Sequence, residues 1–159
     1  MLVQGYEWVL GPDHPNTLAM RCNLAGALRE SGRVEEAIEA YQTVLTDRLR
    51  VLGADHPGTL TTRHNLAGAL RESGRVEEAI EAYQTVLTDY LRVLGADHPD
   101  TLATRGNLAG ALQDAGRVEE AIEAYQTVLT DYLRVLGADH PDTLTTRCNL
   151  AWALRESGR

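Results

Sequence analysis

The sequence is dominated by an internal repeat with a period of 42 residues. The copies are 10–51, 52–93 and 94–135, preceded by the tail of a unit at 1–9 and followed by the front half of a unit at 136–159. In the tail, Tyr6 falls at the position of Tyr90 and Tyr132. A fixed period of this size is typical of a solenoid, in which each unit buries its apolar face against its neighbours. The sequence therefore predicts one repeat array over residues 1–159.

Proline and glycine mark the helix boundaries within each unit. Pro99 fixes its own φ and disfavours the α region for His98, so a first helix, helix A, is expected to begin at Pro99 with His98 as its N-cap. Gly116 is placed to end this helix in the left-handed conformation. Apolar residues then recur at spacings of three and four from Val118 to Leu136, which predicts helix B. The short joints between helices predict an all-α fold of stacked antiparallel helix pairs.

Composition excludes several classes of function. The formal net charge is −8, the pI is near 5.1 and the 15 cationic residues, all arginine, form no basic run, which argues against binding to nucleic acid. We find no apolar run of membrane-spanning length and no signal peptide after Met1, so a cytoplasmic protein without a membrane partner is expected. Cys22 and Cys148 lie three periods apart, too far for a disulfide, and are expected to be free thiols.

The histidines do not form a metal site in this arrangement. One histidine recurs in each unit, at His14, His56, His98 and His140. Successive copies are expected to lie on the order of 10 Å or more apart, whereas zinc needs nitrogens at about 2.0 to 2.1 Å. His64 has no serine, cysteine or carboxylate placed to form a catalytic relay, and no phosphate-binding glycine motif is present. The sequence therefore predicts no metal, no cofactor and no catalysis.

Differences between the copies collect on helix A. Helix B keeps the string RVEEAIEAYQTVLTD in all three complete units, and the first change nearby is Arg48 against Tyr90 and Tyr132. The five variable sites of helix A are Asn16/Gly58/Asp100/Asp142, Ala19/Thr61/Ala103/Thr145, Cys22/His64/Gly106/Cys148, Gly26/Gly68/Gly110/Trp152 and Arg29/Arg71/Gln113/Arg155. They are spaced three, three, four and three residues apart, which places them on one face of one helix. This pattern favours a recognition surface, with drift at exposed sites as the alternative.

The strings NLAGAL-x4-GRVEEAIEAYQTVL and LGADHP resemble tetratricopeptide repeats (TPRs), specifically the long 42-residue type of kinesin light chains and their bacterial relatives. The resemblance covers the whole chain and implies a right-handed superhelix whose concave channel, lined by the inner face of helix A, holds peptides. That type usually has two asparagines before its Leu-Ala pair. Here the first of those positions is Cys22, His64, Gly106 or Cys148, and only the second asparagine is kept.

The function predicted from this resemblance is binding of a peptide or partner protein. The candidate groove residues are Asn23, Arg29, Thr61, His64, Asn65, Arg71, Asn107, Gln113, Asn149, Trp152 and Arg155. Trp152 has two interpretations: it anchors a ligand or closes the groove, or it covers apolar surface where the array stops. The alternatives for the chain are a self-associating or engineered repeat scaffold without a specific ligand, and the sensor region of a larger signalling NTPase.

The last helix A lacks its own helix B. We therefore expect Leu150, Ala151 and Leu154 to be partly exposed. A head-to-tail homo-oligomer through the terminal helices is the hypothesis that follows, because a heterologous contact of this kind does not close.

Overall fold

The computed structural model describes residue 5 and residues 8–158, and the described part of the chain is helical without strands. The helices are α1 (Pro15–Glu30), α2 (Val34–Val51), α3 (Pro57–Glu72), α4 (Val76–Val93), α5 (Pro99–Asp114), α6 (Val118–Val135) and α7 (Pro141–Glu156). Residues 8–10 are also helical, whereas most of the predicted tail at 1–9, including Tyr6, lies outside the described residues. The odd-numbered helices are the predicted A helices, and α2, α4 and α6 are the predicted B helices.

The chain divides into two compact units, Met1–Arg75 and Val76–Arg159. In the first unit, α2 packs against both α1 and α3. In the second unit, α5 packs against α4 and α6, and α6 packs also against α7. Consecutive helices within each unit are therefore packing partners, as the short joints predict.

A histidine is the N-cap of each helix A, as predicted. The Nδ1 atoms of His56 and His98 accept hydrogen bonds from the backbone N–H groups of Gly58 at 3.0 Å and Asp100 at 3.2 Å. The same arrangement begins α1 at His14 and α7 at His140. Each cap satisfies one of the backbone donors that the first turn of a helix leaves without a partner.

Glycines end the helices in the left-handed region. Gly116 has a φ of +74° and follows helix A, as predicted, while Gly137 has a φ of +89° and follows helix B. The N–H of Gly137 donates to the carbonyl of Tyr132 at 3.1 Å, which satisfies a carbonyl at the helix end. A residue with a Cβ is strained at such a φ, so these two positions favour glycine.

The core is made by the apolar faces of both helix A and helix B. In α6 the residues Ala121, Ile122, Tyr125 and Val128 are buried, as the spacing of three and four predicts. Leu102 of α5, the neighbouring helix A, is fully buried. These buried side chains hold the two helices of a pair together, because amphipathic helices in proteins are stabilised mainly by the packing of their apolar faces.

Ion pairs tie helix B to the joint that precedes its own helix A. In the first unit Arg50 Nη1 lies 3.0 Å from Asp13 Oδ2, and in the second unit Arg134 Nη1 lies 2.8 Å from Asp97 Oδ2. Hydrogen bonds from the guanidinium groups lower the pKa of both carboxyl groups. The two contacts are one feature of the repeat, since both join residues 37 positions apart.

Apolar side chains of α7 are less buried than those of α5. Leu144 is 46% exposed, whereas Leu102, at the same position of the repeat, is 0% exposed. Leu150 and Leu154 are half-buried and Ala151 is exposed, which confirms the predicted partial exposure. The difference arises because no helix B follows α7 among the described residues.

Candidate functional site

The variable face of helix A opens into a pocket in the first unit. The pocket has a volume of about 440 Å³ and lies between α1 and α3, with α2 beneath it. Its lining residues are Ala19, Cys22, Asn23, Gly26, Ala27, Glu30, Tyr41, Arg48, Gly58, Thr61 and Asn65. Three of the predicted groove residues, Asn23, Thr61 and Asn65, are therefore brought together here. Their side chains are half-buried or exposed, so they are accessible to a ligand.

Arg48 of α2 forms part of the pocket floor. Only 7% of its surface is exposed. Its Nη1 donates to the carbonyl oxygen of Gly58 and, at 2.7 Å, to Thr62 Oγ1, while its buried Nε has no acceptor among the described residues. A buried cation is usually paired, because a charge without a partner is costly to remove from water.

Glycine at position 58 makes room for this guanidinium. A Cβ atom built on Gly58 would lie 3.2 Å from Arg48 Nη1 and 3.3 Å from Arg48 Cζ, closer than ordinary van der Waals contact. The other copies of the repeat have Asn16, Asp100 or Asp142 at this position. The two departures from the repeat, arginine at 48 and glycine at 58, are therefore sterically matched.

The second unit has a different pair of residues at the corresponding positions. Tyr90 and Tyr132 replace Arg48, and both are buried. Burial raises the pKa of the Tyr132 hydroxyl, and the nearby carboxylate of Asp142 raises it further. A neutral phenol next to an acidic residue thus stands where the first unit has a cation next to a glycine.

Other predicted groove residues in the first unit lie on α1 and α3 outside the pocket lining. Arg29 is half-buried and its Nε lies 3.6 Å from Glu72 Oε1. His64 and Arg71 are half-buried on α3. Arg29 therefore has an ion-pair partner on α3, and its role as a groove contact stays a prediction.

In the second unit, five predicted residues lie on α5 and α7. Gln113 is half-buried and donates from Nε2 to Glu156 Oε2 at 3.0 Å, which links the two helices. Asn107 is half-buried and Asn149 is exposed. Trp152 is 67% exposed. Trp152, Arg155 and Glu156 line a second pocket of about 290 Å³.

Sequence reasoning missed the floor of the first pocket. Tyr41 and Arg48 lie on helix B, outside the variable face of helix A, so neither is among the predicted site residues. Arg48 carried a signal, since it breaks a repeat that is otherwise tyrosine at this position. Cys22 belongs to the variable face, and it lines the pocket while being 8% exposed, with its Sγ 3.8 Å from Thr62 Oγ1. It and Cys148 are free cysteines, as predicted.

Two further findings concern the described residues as a whole. No group of three or more histidine, cysteine, aspartate or glutamate side chains in residues 5 and 8–158 is arranged to hold a metal ion. None of the helices described above is both long enough and apolar enough to cross a membrane.

Solved structures resemble the chain over most of its length. A kinesin light chain-like protein from Podosopora anserina, with nearly identical TPR-like repeats, matches with a TM-score of 0.83 and 33% identity over 99% of this chain and 74% of that chain. A single-substitution variant of that protein matches with a TM-score of 0.84 and 32% identity over the same shares, 99% and 74%. BtubC (BKLC) from P. vanneervenii matches with a TM-score of 0.82 and 20% identity over 91% of this chain and 58% of that chain, which shows the fold alone. No curated protein matches the chain.

The sequence family agrees with these structures. The family model of the tetratricopeptide repeat matches residues 16–91, 64–130 and 100–159. The predicted α-solenoid fold class and the resemblance to the kinesin light chain type are thereby confirmed. Tetratricopeptide repeats are generally protein–protein interaction modules and typically lack catalysis. The chain belongs to the tetratricopeptide repeat family.

Proposed function

We propose that this chain binds a peptide or an extended segment of a partner protein along the variable face of its A helices, without catalysis and in the cytoplasm. The observation that carries the proposal is the pocket of about 440 Å³ between α1 and α3. Concave sites with a few convergent polar groups are the usual places where proteins bind ligands.

The chemistry of the pocket suits a peptide main chain. The side-chain amides of Asn23 and Asn65 each carry two donors and an acceptor, so they can pair with both the N–H and the C=O of an extended peptide. Asn107 and Asn149 repeat this residue in the second unit. An amide at a fixed interval supplies main-chain contacts with little dependence on the ligand's sequence.

Small side chains keep the pocket open. Ala19, Gly26 and Ala27 line it on α1 and Gly58 lines it on α3. Their substitution by larger residues would narrow the space between the two helices. The variable positions therefore decide both the depth of the site and the groups that a ligand meets.

A displayed library of random decapeptides tests the proposal on the full chain. We expect selected peptides to lose at least about tenfold in affinity with Asn65→Ala or Arg71→Ala, since a hydrogen bond to a buried partner group is lost in each case. The matched controls are Gln42→Ala and Gln84→Ala, which change residues on the B helices outside the predicted groove. The proposal fails if groove substitutions leave binding unchanged while the changes on helix B abolish it.

Self-association is a second candidate, favoured by the exposure of Leu144 and Trp152 on α7. Exposed apolar patches mark interaction sites, and a head-to-tail contact through this helix would bury both side chains. Light scattering over a concentration series tests it, with Trp152→Ala as the variant expected to reduce association. A monomer at all concentrations would exclude this candidate.

A further inference from the structure

We propose that Cys22 is an oxidation site, at which a small hydroperoxide converts the thiol first to a sulfenic acid and then to a sulfinate beside Arg48. The reactant is hydrogen peroxide or an alkyl hydroperoxide small enough to enter the pocket of the first unit. This inference concerns the thiol itself, so it does not depend on the peptide binding proposed above.

The first argument is the place of the thiol. Cys22 lines the pocket of about 440 Å³ between α1 and α3, and 8% of the residue is exposed. A cysteine buried in wholly apolar surroundings is inert. This sulfur has a polar neighbour instead, since its Sγ lies 3.8 Å from Thr62 Oγ1, which also accepts a hydrogen bond from Arg48 Nη1 at 2.7 Å. One hydroxyl oxygen therefore links the thiol to the guanidinium.

The second argument is the hydrogen bonding of that hydroxyl. A hydroxyl has one proton and two acceptor lone pairs. Thr62 Oγ1 donates to the carbonyl oxygen of Gly58 at 2.8 Å and accepts from Arg48, which leaves its second lone pair for the S–H group. When the thiol loses its proton, the Thr62 proton can turn to the sulfur, because the carbonyl of Gly58 keeps its hydrogen bond from Arg48. The thiolate, which is the nucleophilic form, thus has a donor in place.

The third argument is the charge of Arg48, which its present partners do not balance. The residue is 7% exposed, and the acceptors of its Nη1 are the neutral oxygens of Gly58 and Thr62. Its Nε is buried without an acceptor among the described residues. A buried guanidinium of this kind favours an anion formed next to it, because it binds anionic oxygens through charge-assisted hydrogen bonds. Oxidation of Cys22 creates such an anion.

The oxidation proceeds in two balanced steps. The thiolate sulfur attacks one oxygen of the peroxide, the O–O bond breaks, and the other oxygen takes up the thiol's proton and leaves as water or an alcohol. The sulfur loses two electrons and the peroxide gains them. A second peroxide transfers an oxygen to the sulfenic acid in the same way, and the sulfinic acid loses its proton to water. The described lining residues include no second cysteine that would trap the sulfenic acid as a disulfide.

Cys148 is a matched thiol in the same chain. It lies on α7 at the position of Cys22 in the last copy of the repeat, and it is exposed. No helix follows α7 among the described residues, so this part of the chain has no counterpart of Arg48 or Thr62 there. The two cysteines fall on different tryptic peptides, 22–29 and 148–155, so mass spectrometry follows each one separately.

The test treats the full, reduced chain with hydrogen peroxide and measures the gain of one and then two oxygen atoms on each peptide. We expect Cys22 to be oxidised at least about tenfold faster in the folded chain than in concentrated urea, where Arg48 and Thr62 no longer lie beside it. Cys148 should react at similar rates in both states, because it is already exposed in the folded chain. A smaller ratio for Cys22 overturns the proposal, since a thiol that is merely shielded reacts faster after unfolding.

Two variants test the part that the cation takes. Arg48→Met should slow the oxidation of Cys22 in the folded chain by at least about tenfold, whereas Arg48→Lys, which keeps the charge, should slow it less. Neither variant should change the rate at Cys148. An unchanged rate at Cys22 in Arg48→Met overturns the proposal. If circular dichroism shows that Arg48→Met does not fold, the comparison of the folded and urea-unfolded states of the unsubstituted chain decides the question.

Discussion

The joint between α2 and α3 and the joint between α6 and α7 share one backbone geometry. The capping histidines have nearly the same dihedral angles, with φ −66° and ψ 134° at His56 and φ −68° and ψ 137° at His140. The glycines that end the preceding helices have φ +87° at Gly53 and +89° at Gly137. The path of the chain through a joint is therefore set by its proline, its histidine cap and its glycine, all of which both joints contain.

Side chains at the same two joints differ in charge. Arg48 and Gly58 face each other at the first, Tyr132 and Asp142 at the second. The repeat tolerates this exchange because both members of the pair change together, so that a large cation meets no Cβ and a neutral phenol meets a carboxylate. The comparison shows that the chemistry of one position can change while its backbone stays fixed.

The largest loss of unfolding free energy at these two joints is expected from Tyr132→Ala. Tyr132 is 5% exposed, and removing a buried aromatic side chain of this size costs about 3 to 5 kcal/mol of unfolding free energy. Arg48→Ala should cost less than about 2 kcal/mol, because it removes a buried charge together with its desolvation penalty. Thr62 also keeps its hydrogen bond to the carbonyl oxygen of Gly58, at 2.8 Å.

Urea unfolding of both variants measures the difference, with Gln126→Ala on the exposed side of α6 as the control. Equal losses at the two positions would show that Arg48 contributes as much packing as a tyrosine does. That result would remove the energetic distinction between the two joints.

A smaller effect of opposite sign is expected from R48Y/G58D. Replacing a buried, unpaired cation by the repeat's tyrosine and adding an acidic residue to the first turn of α3 should raise the unfolding free energy by about 1 to 2 kcal/mol. Gly58→Asp alone should not give this gain, since its Cβ would lie 3.2 Å from Arg48 Nη1 and displace the guanidinium.

The measurement is a double-mutant cycle of the two single variants and the double variant by urea unfolding. Additive changes would contradict the steric match between the two positions. A stabilised double variant would show that the first unit keeps Arg48 and Gly58 at a cost in stability.

Most of the fold could be predicted from the sequence, because the residues that mark each helix boundary recur in every copy of the repeat. The pattern predicts that helix A begins at Pro99 with His98 as its cap, and both are observed. These features depend on local rules for proline, glycine and hydrophobic spacing, which act within a few residues. The solenoid class follows from the period itself.

The candidate site could be predicted only in part, because it depends on contacts between neighbouring helices. Asn23, Thr61 and Asn65 are predicted from their place on helix A, and all three line the pocket. Arg48 is visible as a departure from the repeat, but its burial and its contact with Gly58 join residues 10 positions apart across a joint. A pattern within one helix cannot predict such a contact. The ion pair of Arg29 with Glu72 also joins two helices and could not be predicted for the same reason.

The smallest expected effect concerns the ion pair between Arg134 and Asp97. It compares the joint before α5 with the joint before α7, which has no later helix B among the described residues. Asp97 lies in the joint before α5 and receives hydrogen bonds from Arg134, which lower the pKa of its carboxyl group. A carboxyl group whose pKa is lower in the folded state contributes stability above its unfolded pKa of about 3.9. That contribution is lost as the pH falls from about 4 through the lowered folded pKa.

Asp97→Asn should therefore lower the melting temperature slightly at pH 7, and the loss should shrink at a pH of about 2 to 3 and in high salt. The matched control is Asp139→Asn, at the same position of the next joint, because Asp139 makes no ion pair among the described residues. Thermal melts of both variants at pH 7 and at about pH 3 give the comparison. If Asp139→Asn lowers the melting temperature as much as Asp97→Asn does, the aspartate acts through the local structure of the joint, and the ion pair to helix B contributes nothing measurable.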